Sequence, residues 1–142
     1  MSIIRMYVAA SAATAAVASI DIPADGVIRA ITMGVSIYDA TPVTGEGASA
    51  QLSFLSSPQY AANDVRGTLC DVRNQPAHVA AAITLSNGGT PFCVMTPIAV
   101  HVAAGERVYL HCTPEGSVVA TAVAYLFIDD GIDVARAQVR RR

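Results

Sequence analysis

The feature that most constrains this chain is a period-two alternation of apolar and polar residues, in short runs that end at turn residues. Successive side chains of a strand point to opposite faces. Such a run is therefore apolar on one side only, and it must lay that side against another layer. The clearest run covers residues 27–38. Val27, Ile31, Met33, Val35 and Ile37 fall on one face, and Thr32, Gly34, Ser36 and Tyr38 on the other. The turn Pro23-Ala24-Asp25-Gly26 joins this run to the segment ending Ser19-Ile20-Asp21-Ile22.

Further along, a Gly-, Pro- and Thr-rich loop over 39–47 leads to Ala48, Ala50, Leu52 and Phe54, which alternate with Ser49, Gln51 and Ser53. Residues 58–66 read as irregular. Strands are expected over 67–73 and 78–85, the latter closed by Asn87-Gly88-Gly89, and a short one over 92–95 before Pro97. Residues 118–128 are apolar on both faces, which places that strand centrally in its sheet. There Ala120, Ala122 and Ala124 leave one side shallow enough for close approach by another layer or subunit. Residues 9–18 are Ala-rich, which favours helix. They lack a 3.6-residue apolar stripe and the usual Glu, Lys and Leu, so strand is preferred and helix is its rival.

Eight or so short strands at regular spacing predict an all-β chain: an antiparallel β-sandwich, jelly-roll-like, with extended N- and C-terminal arms. No internal repeat or linker is visible. One domain over 13–130 is expected, with an N-terminal arm or edge strand over 1–12 and a basic tail over 131–142.

The stretch 98–112 predicts a hairpin. Ile98, Val100 and Val102 alternate, Ala103-Ala104-Gly105 interrupts, and Val108, Leu110 and Cys112 alternate again. A three-residue loop wants Gly at its third position, where φ is positive. That loop would set Val102 opposite Glu106, Val100 opposite Val108 and Ile98 opposite Leu110, so that all the apolar residues share a face.

Charge narrows the function. Only 14% of residues are charged, against about 25% in an average soluble domain. A lone β domain so poor in charge leaves apolar surface for a partner or for further copies to cover. All nine basic residues are Arg. Residues 1–130 hold five Arg against ten acids (−5), and residues 131–142 hold four Arg against one Asp (+3). An acidic body argues against nucleic-acid binding, and no specific nucleic-acid partner is expected. The tail cluster Arg136, Arg140, Arg141 and Arg142 reads either as a solvated terminus or as an anchor on an acidic neighbour. At the other end, Ile3, Ile4, Met6, Tyr7 and Val8 are apolar at a chain terminus, which implies pairing at a sheet edge or contact with another subunit. The candidate interface residues are thus Ile3, Ile4, Met6, Tyr7, Arg136, Arg140, Arg141 and Arg142.

No constellation for catalysis stands out, and no enzyme is expected. Cys70, Cys93 and Cys112 form neither a disulfide framework nor a zinc-ribbon pattern and read as small buried hydrophobes. On the predicted hairpin, His101 would pair with Arg107, and His111 would lie about 13 Å away at about 3.3 Å per residue, too far to share a metal. His111 and Cys112 are adjacent in a strand and face opposite ways, so they make no dyad. There is no G-x-S-x-G and no phosphate-binding loop, and Asp129-Asp130 reads as a turn. No cofactor or metal is expected. The mildly apolar residues 6–20 are diluted by Ser and Thr and do not read as a secretory leader, and no run is long and apolar enough to span a membrane.

The stretch PIAVHVAAGERVYLHCTPEGSVVATAVAYLFIDD, residues 97–130, resembles the end of small jelly-roll proteins from tailed-phage particles. It shows a strand, A-G-E, an apolar strand with Tyr, a Gly turn, and a long Ala/Val-rich strand. Such proteins are the decoration, or cement, proteins of icosahedral capsids. The resemblance implies a structural virion protein, made in the host cytoplasm and placed on the capsid surface. It also implies the major capsid protein as partner and self-association, commonly as a homotrimer. The alternative is a carbohydrate- or receptor-binding sandwich of a head fibre or tail tip. Sugar sites favour exposed aromatics, and this chain has no Trp.

Overall fold

The computed structural model describes residues 1–11, 14–38, 47–56, 68–74, 92–116 and 118–130. Eight strands follow one another: β1 (Ser2–Ala10), β2 (Ala16–Asp21), β3 (Gly26–Tyr38), β4 (Ala48–Ser53), β5 (Thr68–Asn74), β6 (Phe92–Val102), β7 (Arg107–Pro114) and β8 (Val119–Asp129). They form two four-stranded sheets, the first in the order β1-β8-β3-β6 and the second in the order β2-β7-β4-β5. Every pairing is antiparallel.

The pairings nest. β1 pairs with β8, β2 with β7, β3 with β6 and β4 with β5. The chain is therefore one long hairpin, whose strand pairs fall alternately in the first and second sheet. Wrapping that hairpin about its own axis adds the contacts β3·β8 and β4·β7 that complete each sheet. This is the jelly roll, and the chain is an all-β antiparallel sandwich. Residues 9–18, with helix as the rival reading, supply the end of β1 and the start of β2. No helix occurs among the described residues, and none there is long and apolar enough to cross a membrane.

The core follows from the alternation. Ile4, Met6 and Val8 of β1, Ile31, Met33 and Val35 of β3, and Leu126 of β8 point inward and join Leu52 of β4 and Val108 and Leu110 of β7 in one buried cluster. β8 is central, as its two apolar faces predict. Its small residues Ala120, Ala122 and Ala124 face the other sheet and are buried. Sheets pack about 10 Å apart, so small residues on one must meet larger ones on the other. Cys70 and Cys112 are buried.

Three expectations need correction or completion. First, 98–112 is not a hairpin. β6 lies in the first sheet beside β3, and β7 lies in the second between β2 and β4. The turn chemistry was sound. Gly105 has φ +86°, and the Glu106 amide donates to the Ala103 carbonyl at 3.1 Å, which puts Gly105 at the third position of a four-residue turn, where a type II turn needs positive φ. The turn carries the chain across the sandwich because other residues take its polar groups. Asp25 accepts the Ala104 amide at 2.8 Å, Gly105 donates to Ile22, and Ile22 donates to Glu106. His101 and His111 therefore stand on different sheets rather than on one hairpin.

Second, Val27 is not in phase with Ile31. The register between β3 and both neighbours shifts between Ile28 and Ala30, a bulge at Arg29. A bulge adds one residue and reverses the alternation, so Ile28 rather than Val27 is fully buried. Pro97 sits opposite Ala30 on the edge strand β6, where a missing amide is tolerated. The two short strands expected around Pro97 are thereby one. Third, the strand expected over 78–85, its Asn87-Gly88-Gly89 turn and the irregular 58–66 lie outside the described residues.

Candidate interaction surface

The two outer faces of the sandwich differ in kind. Outside the second sheet, alternation puts Ser49, Gln51 and Ser53 of β4 beside Tyr109, His111 and Thr113 of β7. These are polar, yet Gln51, Ser53 and His111 are buried. The chain just after β4 meets two of them. His111 Nε2 lies 2.9 Å from the Leu55 carbonyl, and the Ser53 hydroxyl meets the Leu55 amide and carbonyl at 3.2 Å. The Tyr109 ring stacks on His111 with centroids 6.1 Å apart. The β4–β7 part of this face is closed by its own chain, and no buried polar atom described there lacks a partner, while Val17 of β2 stays 52% exposed on the same side. His111 is buried with the Leu55 carbonyl against its ring.

Among the described residues, the outer face of the first sheet is open and apolar. The register builds it in rows across β1, β8 and β3: Ile3, Phe127 and Ala30; then Arg5, Tyr125 and Thr32; then Tyr7, Val123 and Gly34. Ile3 is 60% exposed, Tyr7 53% and Val119 40%. Within these rows Arg5 is the charged residue, and its guanidinium lies 5.9 Å from the centroid of the Tyr7 ring. At the end of the face Arg29 stands 3.8 Å from Asp129. The Thr32 hydroxyl in the middle row is buried without a hydrogen-bond partner among the described residues. It is already out of water, so covering this face adds no desolvation cost there. An open apolar face rimmed by charge is the physical signature of a contact surface.

The candidate interface residues of the N-terminus are thus divided by the alternation of β1. Ile3 and Tyr7 project outward onto the open face, while Ile4 and Met6 point inward and fill this chain's own core. Arg136, Arg140, Arg141 and Arg142 lie outside the described residues. Val119, Val123, Tyr125 and Phe127 complete the face without having been singled out from the sequence. Their signal was the doubly apolar β8, in which the shallow Ala side, rather than the large side, drew attention.

Polar chemistry elsewhere is local. At one end of the sandwich Asp25, His101, Glu106, Asp129 and Asp130 border an open depression of about 630 Å³. Its acids are engaged in the fold. Asp25 and Glu106 accept the Ala104 and Ala103 amides, and Asp130 accepts the Ser2 hydroxyl at 2.5 Å. Asp21 and Arg107 form a two-pronged pair at 2.8 and 3.3 Å. The hydrogen bond from Arg107, reinforced by its charge, lowers the Asp21 carboxyl below its ordinary value, and the same bond raises Arg107. Both side chains are more than half exposed, so the pair adds little stability. Burial pushes the Cys112 thiol up to about 11, which leaves it protonated and inert at neutral pH. Among the described residues no group of three or more His, Cys, Asp or Glu is placed to hold a metal ion.

No family model and no curated protein matches the sequence. Among solved structures, the chain is similar to the K3 cleaved adhesin domain of Lys-gingipain from Porphyromonas gingivalis W83, at 18% identity and a TM-score of 0.39. The match covers 80% of this chain and 63% of that one, less than two thirds of its length, and a likeness of that size carries nothing about what either protein binds.

Proposed function

We propose that this chain is a structural virion protein that binds and stabilises a phage capsid shell from outside, as a decoration or cement protein. The observation that carries the reading is the apolar outer face of the sheet β1-β8-β3-β6, opposite a face whose β4–β7 part is polar and covered by the chain's own residues. A protein that acts by reaction needs converging reactive groups, and the acids that border the depression at the end of the sandwich are tied into the fold. A protein that acts by attachment needs a rigid scaffold with one bare side, and a face of this kind on each of many symmetric copies multiplies weak contacts into a stable shell. The strand-turn-strand pattern of residues 97–130 supports the same reading through its resemblance to phage cement proteins. The partner is the major capsid protein. The basic cluster at 136–142 supplies a second, electrostatic contact to an acidic neighbour.

The test is co-sedimentation of the purified chain with capsid particles. Val123 lies in the middle of the face, between Tyr7 and Gly34. Val123→Glu buries an unpaired charge in any contact made there and is expected to abolish attachment, while circular dichroism and melting stay near those of the parent. Attachment at parental strength by a folded Val123→Glu chain would sink the proposal. Binding of the parent to a glycan array but not to particles would replace it with the carbohydrate-binding alternative.

A further inference from the structure

Each sheet of an open sandwich has two edges, and a bare edge is a row of unpaired amides and carbonyls ready to add another strand. Proteins blunt such edges with proline, bulges, charge or brevity. Three of the four edges here carry such a device. β6 contains Pro97 and faces the bulge at Arg29. β5 has a register shift at its pairing between Leu52 and Ser53 and carries Asp71. β2 is six residues long and ends in Asp21, ion-paired to Arg107.

β1 carries no proline and no bulge. It runs nine residues in unbroken register with β8, and among the described residues it pairs on that side alone. No charged side chain of β1 points inward, and Arg5 is its sole charge. The flank beside it is imperfectly closed. Ile4 and Val8 keep 9% and 7% of their surface, and the inward residues Ala16, Ala18 and Ile20 of the neighbouring edge β2 are only partly buried.

We propose that the free edge of β1 pairs antiparallel with β1 of a second copy, about a two-fold axis through Met6. The sequence of the strand, SIIRMYVAA, is self-complementary in that register. Ser2 faces Ala10 of the second copy, Ile3 faces Ala9, Ile4 faces Val8, Arg5 faces Tyr7, and Met6 faces Met6. Inward residues meet inward residues and outward meet outward, which a strand pair requires. All nine residues are used. A shift by two toward the N-terminus would set Arg5 against Arg5, and like charges directly opposite repel. In the Met6 register each Arg5 instead lies opposite a Tyr7 ring, the partner it already approaches within its own chain. The product is a continuous eight-stranded sheet whose outer face doubles the apolar surface, and the same axis draws the two β2 flanks together. The contact is isologous, so it yields dimers rather than the homotrimer that the resemblance implies.

The pairing is independent of what the outer face binds, and its test uses the purified full chain alone. Sedimentation equilibrium across roughly 1 to 100 μM should give a monomer–dimer equilibrium. Tyr7→Lys places Lys opposite Arg5 twice in each dimer and should weaken association about tenfold. Combining it with Arg5→Glu restores two opposite-charge pairs and should recover the parental affinity, which a general effect on folding would not do. Amide exchange within β1 should slow as concentration rises. A monomer throughout, a trimer, or a dimer that Tyr7→Lys leaves unchanged while folded would overturn the proposal.

Discussion

Ile3 and Ile4 offer an internal control for the register of β1: the same residue type, adjacent in sequence, on opposite faces of one strand. Replacing either by Ala removes three carbons, which carry about 2.4 kcal/mol of transfer free energy when fully buried, at roughly 0.8 kcal/mol each. Scaled by exposure, 9% for Ile4 and 60% for Ile3, this becomes about 2 kcal/mol at Ile4 and about 1 kcal/mol at Ile3. Ile4 also leaves a cavity between the sheets, which adds about 1 kcal/mol, whereas Ile3 leaves a hollow that water fills. The expected losses are therefore about 3 and about 1 kcal/mol.

For a chain of 142 residues the unfolding entropy is about 0.3 kcal/mol/K near the midpoint, so Ile4→Ala should lower Tm by about 10 °C and Ile3→Ala by about 3 °C. Thermal unfolding followed by circular dichroism at low micromolar concentration reads both. Capsid co-sedimentation should show the reverse order, with Ile3→Ala the more damaging because Ile3 is on the contact face. Equal Tm losses, or a larger loss for Ile3→Ala, would refute the register on which the core and the contact surface both rest.

Two further outcomes follow from single residues. Nothing lies within 4 Å of a Cβ built on Gly105, so Gly105→Ala should cost only the left-handed backbone conformation, about 1–2 kcal/mol in denaturant unfolding, and Gly105→Asn should cost less. Cys112, with its thiol raised to about 11, should resist iodoacetamide at pH 8 until the chain is unfolded. Its raised value means that the folded state holds the proton while the unfolded thiol, titrating near 9, has lost it. Stability should therefore fall as pH rises from about 9 to about 11, and Cys112→Ser should flatten that part of a urea-midpoint profile.

Much of the architecture is legible in the alternation alone, since Ile31, Met33, Val35, Ile37, Leu52, Val108 and Leu110 all lie inward as their spacing requires. What the alternation leaves open is which strands pair. The turn at 103–106 has the residues of a hairpin loop, yet its partners are Ile22 and Asp25, some eighty residues earlier. A local sequence reports the backbone conformation of a turn, while long-range hydrogen bonds decide whether the next strand returns to the same sheet or crosses to the other. The slip at Val27 has a similar cause: nothing in the run marks Arg29 as the extra residue, and one bulge exchanges the faces of everything before it. At the site, the apolar N-terminus was visible as a contact candidate. Its division into Ile3 and Tyr7 outside and Ile4 and Met6 inside becomes definite only once β8 fixes which side of β1 is covered.

That division explains how one N-terminal strand can serve both the fold and the proposed contact. β1 is held to β8 along its length, so its inward half seals the core and its outward half extends a face whose other members come from β8 and β3. Small residues of β8 turn inward, where the opposite sheet supplies bulk, and that choice sends Val123, Tyr125 and Phe127 outward. A monomeric β domain would more economically place polar residues there, as the second sheet does with Ser49 and Thr113. Large apolar residues on a sheet face that no described residue covers cost solubility and give nothing to the core, which is why the proposed function assigns that face to a contact outside the chain. The same reasoning underlies the proposed pairing of β1: the chain interrupts its β5 and β6 edges and leaves its β1 edge regular, as an edge meant for a partner strand would be.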